Sequence, residues 1–280
     1  MYNKRKRTSM IDDSWDKKNG SSIHIEGNLI ELFNSKYQRI EVYNTKRFGK
    51  LLKLDGVIQL TEFDEANYHE MIAHVPLNIH NTPDNVLVIG GGDGGAIREI
   101  LKHKHVKTID LVEIDNFVID ISKKHFPYVS QGLDDSKVTI INEDGAEYIK
   151  KCKDLYDVII IDSTDPFSVG ESLFKEEFYK NLKVALKPKG IVVSQSESMF
   201  YNKDLIKDMY LFKRKHFNAV RYYYTLVPTY PSGTIGFHFC SDGNYLPIDI
   251  NDDFNRIPDL KYYNEMIHKS SFLTPNGVNT

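Results

Sequence analysis

Alternating strands and helices from Pro83 onward, a glycine-rich turn closing the first of those strands, and short β segments before them predict an α/β protein. The expected architecture is a Rossmann-like parallel-sheet domain over residues 63–280, preceded by a small antiparallel β domain over residues 1–62.

Residues 23–62 read as β structure. Ile40-Glu41-Val42-Tyr43 alternates, and the apolar runs Leu51–Leu54 and Val57–Leu60 flank Asp55-Gly56. That dipeptide favours a type I′ hairpin turn, in which both central residues take positive φ. Thr61 with Asp64 three residues on resembles a capping box with Asp in place of Glu, and Tyr68, Met71, Ile72 and Val75 follow at helical spacing. One helix should therefore bridge the β domain to the next and stop at Pro76. Its Tyr68 and His69 either face a ligand or serve as packing and a surface imidazole.

Beyond Pro83 the expected strands are 86–89, 108–113, 138–142, 158–161, 191–195, 219–227 and 235–240. Helices are expected at 96–103, 116–125, 145–152, 175–186 and 203–216. Lys187-Pro188-Lys189-Gly190 reads as a turn, and Tyr222-Tyr223-Tyr224 as packing rather than ligand stacking. The last 40 residues are too weakly periodic to assign.

Composition narrows the function classes. Apolar residues make up 41% and charged residues 27%, and a net charge of −3 gives no global reason to expect nucleic acid as a partner. No run approaches the roughly 20 apolar residues of a membrane span. No apolar segment follows Lys4-Arg5-Lys6-Arg7, which reads as a solvated terminus, so a cytoplasmic location is expected. Cys152 and Cys240 lie far apart without C-x-x-C spacing, as reduced thiols would, and indicate neither a zinc site nor a disulfide framework.

The turn after the first parallel strand carries the chemistry. Gly90-Gly91-Gly92-Asp93-Gly94-Gly95 fits the dinucleotide pattern G-x-G-x-x-G, with Glu113 twenty positions past Asp93. Asp93 argues against that reading, because it sets a negative side chain at the helix N-terminus where a pyrophosphate would sit. A nucleoside carrying positive charge, such as an adenosyl sulfonium with a free ammonium, suits the position; a plain glycine turn with Asp93 as helix cap is the alternative. Acids also end the next strands, Glu113 and Asp115, Glu143 and Asp144, then Asp162 and Asp165. Ligands of open α/β sheets bind beyond the carboxyl ends of the strands, so these acids should converge on one crevice. A divalent metal would suit such oxygens, but no G-x-x-x-x-G-K-[ST] loop accompanies them, and organic cations are the better match. No metal is expected.

Together, Gly90-Gly91-Gly92-Asp93-Gly94-Gly95, Asp144-Gly145, Asp162-Ser163-Thr164-Asp165-Pro166, Tyr37-Gln38, Asp64-Glu65-x-x-Tyr68-His69-Glu70 and Thr229-Tyr230-Pro231-Ser232-Gly233 resemble the polyamine aminopropyltransferases, from about Asn34 to about Cys240. The resemblance implies a methyltransferase-type Rossmann-like domain. It also implies transfer of a 3-aminopropyl group from decarboxylated S-adenosylmethionine, a co-substrate rather than a tightly bound cofactor, to a diamine, with putrescine the default. By the same resemblance Asp162 is the proton acceptor and Asp165 holds the amine. Asp93 binds the aminopropyl ammonium, Glu113 the ribose hydroxyls and Asp144 the adenine amino group. Gly90, Gly92, Gly145 and Gln38 complete the nucleoside side. Tyr68, His69, Ser163, Thr164, Gln195 and Tyr230 line the acceptor side. Val169 stands where the family has a proline against the thioadenosine, and Trp15 lacks the family's usual following residues. Family members assemble as dimers or tetramers, so a homodimer or homotetramer is expected, with contacts through the N-terminal β domain.

The implied roles agree with elementary chemistry. An alkyl diamine has ammonium pKa values near that of lysine, about 10, so freeing a nucleophilic amine at pH 7 costs roughly 4 kcal/mol and a general base is useful. A different amine acceptor, an amine N-methyltransferase and a ligand-binding protein without chemistry remain the alternatives.

Overall fold

In the computed structural model the described residues are 9–14, 20, 22–163, 170–246, 248, 250, 257–276 and 278. Trp15, Thr164, Asp165 and Val169 lie outside them, as does the Lys4–Arg7 run. Five strands come first: β1 (Ser9–Asp12), β2 (His24–Asn34), β3 (Arg39–Thr45), β4 (Lys50–Leu54) and β5 (Val57–Thr61). They pair antiparallel in chain order. Asp55 (φ 48°) and Gly56 (φ 86°) both take positive φ between β4 and β5, as the type I′ reading requires. β1 is too short to show a period and is an addition to the expected strands.

Both faces of this sheet are covered, which explains the nearly continuous apolar run of β4. Leu51 packs with Ile11, Ile25 and Ile58 on one face. Leu52 and Leu54 pack on the other with Ile40, Val42 and Leu60 against Val118, Ile121, Phe126 and Val129 of the following domain. The N-terminal sheet thus shares a core with the rest of the chain.

The bridging helix α1 (Glu65–Ile79) departs from expectation at both ends. Its N-cap is Asp64, not Thr61, and no side chain caps it. The Asp64 carboxylate instead accepts from Thr61 Oγ1 (2.6 Å), Thr229 N (2.9 Å) and Thr229 Oγ1 (2.8 Å), tying a distant loop to the helix start. Nor does Pro76 stop the helix, which runs on to Ile79. Every residue of α1 except Asn67 is buried, and packing on all sides offsets the roughly 3 kcal/mol an interior proline costs.

The second sheet is built from β6 (Asn85–Gly90), α2 (Gly95–Ile100), β7 (Thr108–Val112), α3 (Asn116–His125), α4 (Pro127–Ser130), β8 (Val138–Ile141), α5 (Gly145–Tyr148), β9 (Tyr156–Asp162), α6 (Glu176–Ala185), β10 (Leu186–Gln195), α7 (Lys203–Lys213), β11 (Ala219–Leu226) and β12 (Thr234–Ser241). The strand order is β11-β12-β10-β9-β6-β7-β8. β6 to β10 run parallel, as the Rossmann-like reading expects, and β12 is antiparallel to both β10 and β11. The reason is the connection: β11 and β12 are joined by a short turn at Pro231–Gly233, and a parallel pair needs a long crossover. Lys187–Gly190 is no turn between elements. It is a bulge inside β10, where the register with β9 shifts between Leu186 and Ile191 and Lys189 takes φ 67°. Residues 145–152 split into α5 and a 3-10 turn at Ile149–Lys151.

Side chains of the central strands alternate between two cores. Val86 and Val88 pack with α1 and α2, whereas Leu87 and Ile89 pack with Phe178, Tyr179 and Leu182 of α6. Tyr222 and Tyr223 are buried as packing, and Cys152 and Cys240 are buried free thiols. Past β12, the Glu70 carboxylate accepts from the N–H groups of Lys261 (2.8 Å), Tyr262 (2.9 Å) and Tyr263 (2.7 Å), anchoring the chain before α8 (Glu265–Ser271). No described helix is long and apolar enough to cross a membrane.

Candidate active site

Strand order reverses between β6 and β9, and at that seam Gly90 pairs with Asp162. Crevices in open sheets form at such switch points. Gly90 has φ 78°, and a Cβ there would lie 2.2 Å from the Asp162 carbonyl oxygen, so a glycine is what lets β6 turn away beside the acid.

One pocket occupies the seam, and it gathers every described residue to which the family resemblance gives a site role. The ends of β6, β7 and β8 contribute Gly90, Gly92, Asp93, Glu113, Asp144 and Gly145, with Gln38 from the N-terminal sheet. From α1, β9, β10 and the β11–β12 loop come Tyr68, His69, Asp162, Ser163, Gln195 and Tyr230. Two strand-end acids do not join them. Asp115 caps α3 and accepts from Ser35 Oγ (2.6 Å) and Gln38 Nε2 (3.1 Å), so it positions Gln38 rather than lining the cavity. Glu143 pairs with Lys151.

Asp162 and Asp93 face each other's charge across the pocket. Asp162 Oδ1 accepts from Tyr68 OH at 2.7 Å, while Oδ2 is buried with no hydrogen-bond partner among the described residues. Burial pushes this carboxyl up, and the Asp93 charge adds to the effect, to about 6 despite the opposing pull of His69 and Tyr68. Asp93 Oδ1 accepts from Gly95 N (2.7 Å) and stands 3.3 Å from His69 Nε2. Burial alone would raise Asp93, but the His69 charge and these hydrogen bonds hold it below the usual carboxylate range.

His69 has a carboxylate on each ring nitrogen, Glu65 Oε2 lying 2.7 Å from Nδ1. Burial opposes its charge, but the two acids overcome that and raise it to about 10. His69, Asp93 and Asp162 are spaced to share a cation. With its ring protonated, His69 acts there as a donor and a positive charge between the acids, and the oxygens of Asp93 and Asp162 are the acceptors that face the pocket. Gly95 makes room for the ring: a Cβ there would lie 2.2 Å from His69 Nδ1. Gly95→Ala is expected to destabilise the fold by about 1–3 kcal/mol, measured by denaturant unfolding, because the ring cannot yield without breaking from an acid.

Toward the β7 and β8 ends, Glu113 accepts from Gly92 N (3.1 Å) and Asp115 N (2.9 Å), and burial pushes it up to about 7. Asp144 caps α5 through Ala146 N (2.8 Å). Ile89, Val112, Ile114 and Leu173 give this part of the pocket apolar walls. Sequence reasoning passed over Gln59, Glu197 and Ser198, which also line the cavity. Glu197 lies in a loop after β10 at φ 58°, beyond any periodic signal. The Glu65 and Arg98 pair behind His69 was also missed, since charges on a helix ordinarily read as solvated.

A seven-stranded sheet of this order with an acid-bearing glycine turn at its switch point defines a Rossmann-like, methyltransferase-type enzyme. Residues 65–249 match the family described as "Spermine/spermidine synthase domain", and residues 16–62 match "Spermidine synthase tetramerisation domain". A polyamine aminopropyltransferase from Leptospira biflexa is 47% identical over 88% of this chain and 88% of its own length. A spermidine synthase from Dictyostelium discoideum is 43% identical over 95% and 94%. A spermidine synthase crystallised in complex with the transition state analogue AdoDATO superposes with a TM-score of 0.94 at 38% identity, covering 99% of this chain and 96% of that one. The chain belongs to the spermine/spermidine synthase family of polyamine aminopropyltransferases.

Proposed function

We propose that this protein is a spermidine synthase, transferring the 3-aminopropyl group of decarboxylated S-adenosylmethionine to putrescine to give spermidine and 5′-methylthioadenosine. The observation that carries the reading is Asp162, half-buried at the seam with Tyr68 on one oxygen and the other, buried oxygen directed to no described partner. The Tyr68 hydroxyl fixes the carboxylate, leaving Oδ2 to take the amine proton. Lone-pair attack then forms the N–C bond as the C–S bond breaks, and sulfur leaves with the bonding electrons as a neutral thioether. A base near pH 6 suits this task, since it is ionised at neutral pH yet retains proton affinity.

The Asp93 carboxylate receives the aminopropyl ammonium, and the same charge would repel the carboxylate of ordinary S-adenosylmethionine. Glu113 takes the ribose hydroxyls and Asp144 the adenine amino group. Gly90, Gly92, Gly145 and Gln38 close around the nucleoside, and the family resemblance adds Val169, in the family proline's place, to the same side. Tyr68, His69, Ser163, Thr164, Gln195 and Tyr230 hold the diamine with Asp165. The reaction needs alignment rather than a metal or resident cofactor. The protein assembles as a homodimer or homotetramer through its N-terminal β domain, a reading supported by the match of residues 16–62 to a spermidine synthase tetramerisation domain.

The test is product identity. Purified protein with putrescine and decarboxylated S-adenosylmethionine is expected to yield spermidine and methylthioadenosine, resolved by chromatography. N-methylputrescine from the carboxylated form, or faster turnover of cadaverine, agmatine or spermidine, would overturn the assignment.

A further inference from the structure

His69 is a pocket residue whose orientation and charge are set from behind the pocket wall. Glu65 opens α1 one helical turn before it, and Glu65 Oε2 receives Nδ1–H at 2.7 Å while Nε2 points to Asp93 Oδ1 at 3.3 Å. Arg98 on α2 binds both oxygens of Glu65, through Nη1 at 3.1 Å and Nη2 at 2.8 Å, and its Nε donates to Glu99 at 2.6 Å. Glu65, His69, Arg98 and Glu99 are all buried. A neutral imidazole has one donor and one acceptor nitrogen, so between two carboxylates it would turn a lone pair on one of them. Only the imidazolium satisfies both.

We infer that Glu65 is a positioning residue for the transfer reaction, holding His69 as a fixed imidazolium that offsets the paired negative charges of Asp93 and Asp162. This rests on the reading of the pocket given above. The groups facing His69 are Glu65 and Tyr68 from α1, Asp93 from the glycine turn and Asp162 from β9, with Arg98 acting through Glu65. Two acids sharing a buried pocket raise each other's proton affinity, and a cation beside them lowers it. The direction for Asp162 follows, since Asp93 pushes it up and His69 pulls it down. The same cation lowers the proton affinity of the incoming amine. Arg98 keeps the Glu65 charge from being stranded in the core.

The experiment compares pH profiles of kcat/KM for the full-length protein, Glu65→Gln, His69→Gln and the double variant. It adds ¹⁵N-histidine NMR of the ligand-free protein. Losing either member should move the acid limb upward by about one pH unit, roughly a tenfold deficit at acid pH that recovers toward alkaline pH. The double variant should move it no further, because Glu65 acts through His69. In the NMR spectra His69 should stay an imidazolium through pH 8 in the wild type and titrate nearer neutrality in Glu65→Gln. Should Glu65→Gln lower the rate uniformly with an unmoved limb, or the double variant show summed shifts, the pair is a structural tie and the inference fails. A neutral His69 at pH 7 in the wild type overturns it even where a variant does not fold. The NMR reading uses no substrate, so it stands apart from a failure to form spermidine.

Discussion

Asp162→Asn is expected to lower turnover by about 10²–10⁴-fold, the range for losing a positioned general base, while methylthioadenosine and putrescine still bind. The amide keeps the shape of the carboxylate and can accept from Tyr68 OH on one side, but it cannot take a proton from the amine. Steady-state kinetics and calorimetric binding separate the two effects, and near-normal turnover would remove Asp162 from the role. Wild-type activity should fall as pH drops through about 6, where the buried carboxyl protonates, and the variant's residual rate should lack that limb. Stability should move oppositely. Because the native carboxyl holds its proton to higher pH than an unfolded one, ionising it destabilises the fold progressively from about pH 4 and fully above about 6. The variant escapes that cost, so its Tm should exceed the wild type's at pH 7 and lose the advantage below pH 4.

The pattern explains which features could be read in the chain beforehand. Asp55-Gly56 was legible because local backbone preference alone decides that turn. The strand-end acids were legible because sheet topology, which alternation reveals, places strand ends together at the seam between Gly90 and Asp162. Pro76 misled because its cost is local, whereas the packing that overrides it comes from every side of α1. Asp115 and Glu143 look like Asp93 in sequence, but Asp115 is held by Gln38, 77 positions away across the fold, and Glu143 by Lys151, 8 positions on, and these partners turn them to other tasks. Glu65 and Arg98, 33 positions apart, meet only when α1 packs against α2, and neither shows a local signal. The C-terminal segment is fixed by Glu70, a contact of nearly 200 residues' separation that no local periodicity encodes.

Asp93→Asn should have the second large effect, on the choice between the two nucleoside sulfoniums. Its side chain would keep a carbonyl oxygen for Gly95 N–H, so the glycine turn should hold its shape while the charge is gone. Losing one member of a buried charge pair costs about 2–5 kcal/mol, so affinity for decarboxylated S-adenosylmethionine should drop by roughly 30-fold or more. S-adenosylmethionine has the same ammonium but also a carboxylate, and relief of repulsion offsets its loss. The ratio of the two dissociation constants, measured by calorimetry, is therefore expected to shrink by at least about tenfold. The acid limb should shift as well, toward lower pH, since the Asp93 charge is one of the two causes that raise Asp162. An unchanged ratio with weakened binding of both compounds would mean that pocket shape, and not the charge at position 93, rejects the carboxylate. In that case the two acids at the seam would serve the diamine alone.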